Sequence, residues 1–174
     1  MKSKIVCLFL FLAATAAFAQ KPSEKLKELK PFVGTYVCKG ITFASDFGPE
    51  HATVSTVTGT WTLGGYWLNV EYKETKNAKN PMPYRGSIVM GYDDAAKKFV
   101  SGFVDNFGGY GTESSDGWDG DKMVMTGTMH MGPMMPEGRD VFVKKSAKEM
   151  THMFEIKLPS GEWKKMDEET CKRQ

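Results

Sequence analysis

The sequence lacks the motifs by which most enzyme classes are recognised. Its 174 residues include three histidines, scattered along the chain, and three cysteines. There is no HExxH zinc motif, phosphate-binding loop or dinucleotide fingerprint, and no Ser/His/Asp or Cys/His nucleophile arrangement. These absences exclude the common metalloprotease, nucleotide-binding and triad-hydrolase classes, and the dispersed histidines argue against a zinc enzyme.

The chain also lacks an apolar run long enough to span a membrane. A basic start at residues 1–4, a short apolar segment and the small-x-small sequence Ala17-Phe18-Ala19 are typical of a secretory signal peptide. The sequence therefore predicts a signal peptide at 1–19, a single domain at 20–174, and a periplasmic or secreted location. No cysteine stands at the cleavage point, so a lipid anchor is not expected.

A marked excess of charge is absent as well. Loss of Lys2 and Lys4 with the signal peptide would take the formal net charge from +2 to zero. A neutral domain without a basic stripe gives no reason to expect nucleic acid or an anionic membrane as a partner. We expect no nucleic acid, no membrane insertion, and a monomer or weak homodimer.

The sequence does contain a ladder of short alternating segments with no helical period between residues 84 and 139. The segments of strand length in this ladder are 85–92, 98–105, 109–118, 123–131 and 139–144. Similar patterns lie outside it at 32–43, 51–63, 66–74, 149–158 and 162–169. Short strands at this spacing, separated by Gly, Asp and Asn turns, predict an antiparallel meander that closes on itself.

These patterns predict an all-β fold, a single up-and-down antiparallel β-barrel of about ten strands. Residues 20–30 are polar and lysine-rich, and their leucine spacing predicts a short N-terminal helix. Gly59, Gly102 and Gly127 lie inside strand patterns and are the predicted bends. A barrel of this size is wide enough to hold a small ligand.

Several segments resemble known families. Residues 29–36, Leu-Lys-Pro-Phe-Val-Gly-Thr-Tyr, resemble the motif that opens the first strand of calycin-like proteins such as lipocalins, where the aromatic plugs the barrel end. Residues 63–68 (Leu-Gly-Gly-Tyr-Trp-Leu), 91–93, 98–100, 104–106 and Trp163 resemble the bacterial family called domain of unknown function 1579. The resemblance covers about residues 25–170.

The resemblance implies a lipocalin-like barrel but brings no established activity and no catalytic residues. The nitrobindins, related barrels, bind haem through a histidine near the C-terminal end of the barrel. Residues 162–173 of this chain contain no histidine. We therefore do not expect haem to be bound by that route.

Methionines dominate one face of the strand that begins at residue 123. With a period of two, the residues on this face include Met123, Met125, Met129 and Met131. The adaptable thioether side chains predict a core or the wall of an apolar cavity. Copper is the alternative, because residues 129–135 contain four methionines and His130, and thioethers select Cu(I). A regular strand would direct His130 away from its methionine neighbours, so copper is the minor alternative and no cofactor is expected.

A few polar side chains are predicted to face the barrel interior. His152 alternates with Met150, Phe154 and Ile156, so it faces inward, either as a hydrogen-bonded core residue or as a ligand-binding group. Arg139 shares a face with Val141 and Val143, which predicts an inward direction. A solvated position at the barrel mouth is the plainer interpretation of its charge, and an anion anchor for a ligand is the alternative.

The remaining candidates are Tyr66 and Tyr72, as further polar groups of the interior, and Asp105 at the barrel mouth. Asp105 precedes Asn106 and a glycine-rich turn, so capping of the local backbone is the plainer interpretation of its carboxylate.

The leading functional prediction is non-catalytic binding of a small apolar or amphipathic molecule in the barrel. A lipocalin-like enzyme is the competing class, and His152 with Asp105 is the acid–base pair that the sequence offers. A periplasmic copper binder that uses residues 129–135 is the third class.

Two cysteines, Cys38 and Cys171, remain after removal of the signal peptide. An even number in an exported protein favours a disulfide over two free thiols. The first and last strands of a barrel with an even number of strands pair with each other. A tail that folds back along this seam would bring Cys171, just beyond the last predicted strand, to Cys38.

Overall fold

The computed structural model describes residues 21–174, so the predicted signal peptide lies outside the described residues. Most of this part of the chain forms β-strands, and the prediction of an antiparallel barrel is confirmed. The strands are β1 Gly34–Thr42, β2 His51–Thr62, β3 Trp67–Glu74, β4 Arg85–Asp93, β5 Lys98–Asp105, β6 Tyr110–Ser115, β7 Trp118–Asp119, β8 Lys122–His130, β9 Glu137–Ser146, β10 Glu149–Lys157 and β11 Trp163–Arg173. Two short 3₁₀ helices, Glu24–Phe32 and Leu63–Gly65, accompany them.

Every strand pairs with its neighbour along the chain, except around the two-residue β7. Strand β6 pairs directly with β8, and β1 pairs with β11, so ten strands form a closed ring. Residues 109–118, predicted as one strand, instead form β6 and β7. Gly117 has φ +105°, a left-handed conformation that interrupts the strand, and its N–H donates to Ser115 Oγ at 3.0 Å. Within residues 21–174 no helix has the length and apolar character needed to cross a membrane.

The seam between β1 and β11 carries a disulfide. Cys38 lies directly opposite Cys171 in the antiparallel register, and the two sulfurs are bonded. The predicted bridge is therefore confirmed, but the position of Cys171 differs from the prediction. Strand β11 continues to Arg173, so Cys171 lies within the strand and not in a tail beyond it. Cys38 is fully buried, which places the bridge on the inner face of the barrel.

The 3₁₀ helix Glu24–Phe32 closes one end of the barrel. Its buried residues Leu26, Leu29 and Phe32 join an apolar cluster with Leu68, Val70, Met90, Phe99, Met123, Met125 and Met150. Trp118 Nε1 donates to the carbonyl of Glu28 at 2.9 Å, which anchors the helix at this closed end of the barrel. Tyr36, the aromatic of the first strand, is buried at this end and donates its hydroxyl to the carbonyl of Pro31. The opposite end carries the loops β1–β2, β3–β4, β5–β6, β8–β9 and β10–β11.

Two of the three glycines predicted as bends lie where another segment of backbone comes too close for a side chain. A Cβ on Gly59 would lie 2.0 Å from the carbonyl oxygen of Phe32, and a Cβ on Gly127 would lie 1.8 Å from that of Thr112. Gly102 is different, because the nearest atom to its Cβ would be 3.8 Å away. Steric exclusion thus requires glycine at positions 59 and 127 but not at 102.

Replacing both Cys38 and Cys171 by serine should lower the free energy of unfolding. The bridge spans 133 residues of sequence, and the chain-entropy model gives ~5 kcal/mol for a loop of that length as an upper figure. Urea unfolding of a chain that starts at Gln20, with and without reductant, measures the effect. The oxidised wild type should show no free thiol when denatured, and reduction should bring its stability to that of the variant. Two reactive thiols per chain would contradict the bridge.

Gly127→Ala should destabilise the barrel by about 1–3 kcal/mol, because the new methyl group forces the backbone at Thr112 to move. Gly102→Ala is the matched control. It adds the same methyl group to a strand glycine where nothing lies closer than 3.8 Å, and it should change stability by less than about 1 kcal/mol. Urea unfolding of both variants tests this, and equal losses would contradict the steric explanation.

Candidate functional site

A belt of polar side chains crosses the inner face of the barrel, between the closed end and the open end. We call this set the acidic belt, and its members are Ser55, Tyr72, Ser101, Glu113, Asp140, His152, Asp167 and Glu169. The antiparallel register brings them together, because residues that lie opposite each other on paired strands share a face. Glu169 lies opposite His152, and Asp140 lies opposite the buried Met125, which fixes their direction as inward.

His152 lies at the centre of the belt with a carboxylate on each side of its ring. Its Nε2 is 2.6 Å from Asp140 Oδ1, and its Nδ1 is 3.5 Å from Glu169 Oε1 and 3.9 Å from Asp167 Oδ1. Burial acts to lower the pKa of His152, but hydrogen bonds with Asp140 and Glu169 and the surrounding negative charge raise it well above its ordinary value. The ring is therefore an imidazolium at neutral pH.

Glu169 joins the belt to the neighbouring strands. Its Oε2 accepts hydrogen bonds from Ser55 Oγ at 3.1 Å and from Tyr72 Oη at 3.2 Å. Burial, followed by the charge of Glu169, raises the pKa of Tyr72, so this hydroxyl stays protonated and available as a donor. Tyr72 was a predicted interior residue, and its position on the inner face agrees with that prediction.

Glu113 is a buried carboxyl group beside Asp140, and a side-chain hydrogen bond joins the two. The Oε2 of Glu113 accepts from Ser101 Oγ at 3.1 Å, and its Oε1 has no hydrogen-bond donor among the described residues. Burial, followed by the negative charge of Asp140, raises the pKa of Glu113 to about 10. Burial likewise raises the pKa of Asp167 to about 7, although the charge of His152 opposes the shift.

The belt borders a hollow. The strand register directs Asp167 and His152 inward, yet 35% of the Asp167 side chain and 18% of the His152 side chain remain accessible. Accessible area on inward-facing side chains means that they face space inside the barrel or its mouth. Inward-facing side chains that are likewise only partly buried include Ile88, Phe103, Phe142, Phe154 and Ile156.

The hollow lies beneath an end whose loops carry exposed apolar side chains. A cavity of about 560 Å³ lies between the β1–β2, β8–β9 and β10–β11 loops, and its lining includes Phe47, Met134 and the inward-facing Ile156. Apolar residues that are more than half exposed occur on four of the open-end loops, and they include Phe47, Met82, Phe107 and Met135. This apolar rim surrounds the approach to the acidic belt.

The predicted methionine face is buried, but it does not line the hollow. Met123, Met125 and Met129 are at most 1% exposed, so they pack against protein. Met131 departs from the prediction, because β8 ends at His130 and Met131 begins a tight turn to Met134. His130 stacks on Tyr110 with ring centroids 4.2 Å apart, on the opposite face of β8 from Met129.

Arg139 lies on the outer face of the barrel, so its predicted inward direction is wrong. The Nε of Arg139 donates to Glu155 Oε2 at 2.6 Å, and its guanidinium lies 4.1 Å from the centre of the Trp163 ring. The inner face of β9 instead carries Asp140 and Phe142. The apolar pair of Val141 and Val143 suggested the opposite orientation, but Val141 is buried on the outer face, where its cross-strand neighbours are Val124 and Met153.

The structure also separates Asp105 and Tyr66 from His152. Asp105 Oδ1 accepts from the backbone N–H groups of Phe107 and Gly109, both at 2.8 Å, which is the turn-capping role that the sequence offered as the plainer interpretation. No atom of its carboxylate is within 4.0 Å of His152, whose closest acidic partner is Asp140. Tyr66 lies at the closed end, beside a cavity of about 370 Å³ that also contacts Leu26.

The sequence reasoning did not identify four carboxylates of the belt, those of Glu113, Asp140, Asp167 and Glu169. One signal could have located two of them. If Cys171 faces the interior to form its bridge, a period of two along the last strand places Glu169 and Asp167 on the same face. For Glu113 and Asp140, only the cross-strand register shows which face of the strand is directed inward.

Comparison with known proteins assigns the chain to a family. The model of the family described as protein of unknown function (DUF1579) matches residues 21–173. The chain belongs to this family. The crystal structure of Rv2717c from M. tuberculosis is similar to this DUF1579 barrel, with a TM-score of 0.68, 11% sequence identity, and coverage of 88% of this chain and 99% of that chain. At this identity the likeness shows the fold alone. No curated protein matches the sequence.

The stability of this DUF1579 barrel should fall as pH rises, and Glu113 should be a main cause. Its folded pKa of about 10 exceeds its unfolded value of 4.5, so above pH 4.5 the native state holds a proton that the unfolded state releases. The raised pKa values of Asp167 and His152 act in the same direction. Between pH 7 and 9, wild type should lose about 1 kcal/mol per pH unit more than Glu113→Gln.

Urea unfolding at several pH values measures this difference. Glu168→Gln is the matched control, because Glu168 lies on the outer face of β11, away from the acidic belt. An identical pH slope for Glu113→Gln and wild type would contradict the assignment.

Proposed function

We propose that this protein binds a small amphipathic molecule inside its barrel, with entry through the open end. The observation that supports the proposal is the hollow beneath the apolar rim, bordered by side chains that face inward yet are accessible. A barrel that served only as a rigid scaffold would fill this space with side chains. Barrels of this size can enclose one small ligand.

The distribution of polarity supports an amphipathic ligand over a purely apolar one. The floor of the barrel is packed with apolar side chains, the middle carries the acidic belt, and the rim is apolar again. A purely apolar molecule would cover the belt without hydrogen-bonding to it, which is costly. A molecule with one polar end and one apolar end satisfies both zones.

The disulfide supports a site of action outside the cytoplasm. Bridges of this kind persist in oxidising compartments, and cytosolic thiols are kept reduced. We therefore propose an exported protein, in agreement with the predicted signal peptide at 1–19.

Acid catalysis is the second candidate, and the 2.6 Å contact between His152 and Asp140 favours it. The raised pKa of His152 makes its ring a proton donor at neutral pH and leaves it no free lone pair with which to act as a base. A reaction that this site assisted would therefore begin with protonation of the bound molecule. Turnover of a bound molecule, in addition to its retention, would distinguish this candidate from binding alone.

Ile156→Trp should block the hollow. The larger indole would fill the space at the inner end of the mouth cavity, and it should weaken binding of the neutral fluorescent probe Nile red by about tenfold, or ~1.4 kcal/mol. Val89→Trp is the matched control, because Val89 lies on the outer face of β4, is exposed, and lines neither cavity. Fluorescence titration measures both, and native mass spectrometry of the purified protein tests for a retained ligand. Absence of probe binding and of any retained molecule would overturn the proposal, as would equal losses in the two variants.

A further inference from the structure

The acidic belt has more negative groups than the protein neutralises. Four carboxylates, those of Glu113, Asp140, Asp167 and Glu169, surround a single imidazolium. Among residues 21–174, no lysine or arginine lies within 4.0 Å of any of the four. The arginine predicted for the interior, Arg139, points outward and pairs with Glu155. Buried carboxylates without a compensating cation are costly.

A second observation points to a missing partner. Glu113 is 7% exposed, and its Oε1 is buried without a hydrogen-bond donor from the described residues. A bound proton can substitute for that donor, in agreement with the raised pKa values of Glu113 and Asp167. A cation that donates hydrogen bonds would fulfil the same role and would allow these carboxylates to ionise.

We propose that the head group of the ligand is an alkylammonium, which binds among the carboxylates of the acidic belt, Asp167 included, while its apolar tail extends to the rim. The inference rests on the proposed function, because it names the chemical class of the molecule that enters the hollow. Asp140 lies three residues, about 10 Å, inside the start of β9, so a short alkyl chain connects the belt to the mouth.

Within residues 21–174, the belt offers a metal ion no compact set of three ligands. A divalent ion holds oxygen ligands at about 2.0–2.6 Å, which keeps those ligands within about 5 Å of one another. No three acidic or histidine side chains of the belt bring their ligand atoms within 4.8 Å of each other. The group in residues 21–174 that meets this limit consists of Cys38, Cys171 and Glu169, and its two sulfurs are bonded to each other in the disulfide. An ammonium group needs no such convergent set, because its three N–H groups can donate to separate acceptors.

Aromatic side chains around the belt also suit an organic cation. Phe142 stacks on His152 with ring centroids 4.9 Å apart, and Phe154 lies opposite Asp140 on the next strand. Tyr72 and Tyr84 pack edge to face at 5.6 Å, and Tyr84 continues to Phe107 at the rim. Aromatic rings attract the alkylammonium group through their faces and provide an apolar path for its tail.

Three ligands with the same tail and different head groups test the proposal. Decylammonium, decanol and decanoate are titrated at pH 8, below their micelle concentrations, by displacement of Nile red from the full mature chain. Decylammonium should bind at least about tenfold more tightly than decanol, and decanoate should bind most weakly. This comparison on the wild type needs no variant to fold. Equal or tighter binding of decanol or decanoate would overturn the ammonium assignment but leave the proposed function standing. Failure of all three to bind, together with absence of Nile red binding, would overturn both.

Asp167→Asn tests the location of the head group. The asparagine oxygen can still accept the hydrogen bond that Asp167 Oδ1 accepts from the Phe154 N–H, so the change removes charge with little change of shape. It should weaken decylammonium binding by about fivefold or more and leave decanol binding unchanged. Glu168→Gln, one residue away on the outer face, should change neither. Equal loss for both ligands, or an equal effect of Glu168→Gln, would overturn the assignment.

Calorimetric titration with manganese or calcium chloride alone tests the competing cation. Micromolar binding of either metal that Asp167→Asn abolishes would assign the belt to a metal and overturn the ammonium proposal. Absence of such binding would support the ammonium proposal.

Discussion

The pairing of β1 with β11 is the constraint on which the rest of the molecule depends. Without it the sheet would be open, both edge strands would expose unpaired backbone groups, and no face would be an interior. The Cys38–Cys171 bridge lies directly on this seam and joins the two strands covalently. Closure also determines which polar groups lie in the interior. It places Glu169 and Asp167, which share a face of β11 with Cys171, inside the barrel.

Closure leaves the barrel with two different ends. At one end the 3₁₀ helix Glu24–Phe32 inserts Leu29 and Phe32 into an apolar cluster, and the side chains of Trp118 and Tyr36 donate hydrogen bonds to backbone carbonyls of the helix. At the other end no such plug exists among the described residues, and apolar side chains such as Phe107 and Met135 stand exposed on the loops. The interior is therefore closed by packed side chains at one end and can be entered from the other.

Burial of the acidic belt lowers the stability of the fold, so its presence indicates a role in function. Each buried carboxylate must keep a proton, find hydrogen-bond donors or meet a cation. Glu169 accepts hydrogen bonds from Ser55 and Tyr72, and Asp140 forms one with His152. Glu113 accepts from the hydroxyl of Ser101 through one of its two oxygens. An apolar interior of the same volume would cost less. Proteins commonly tolerate such strain at sites that bind a partner.

Local pattern in the sequence determined the strands, the glycine-rich turns, the buried methionine face and the cysteine pair, because alternation with a period of two is written along the chain. Strand boundaries such as Lys98–Asp105 follow directly from it. The same alternation sorts each strand into two faces, but it does not say which face is inside when both carry polar and apolar residues. Strand β9 shows this, because Arg139, Val141 and Val143 share one face and Asp140 and Phe142 the other. Only the register between strands decided that Asp140 points inward to His152, since a shift of one residue reverses every side chain.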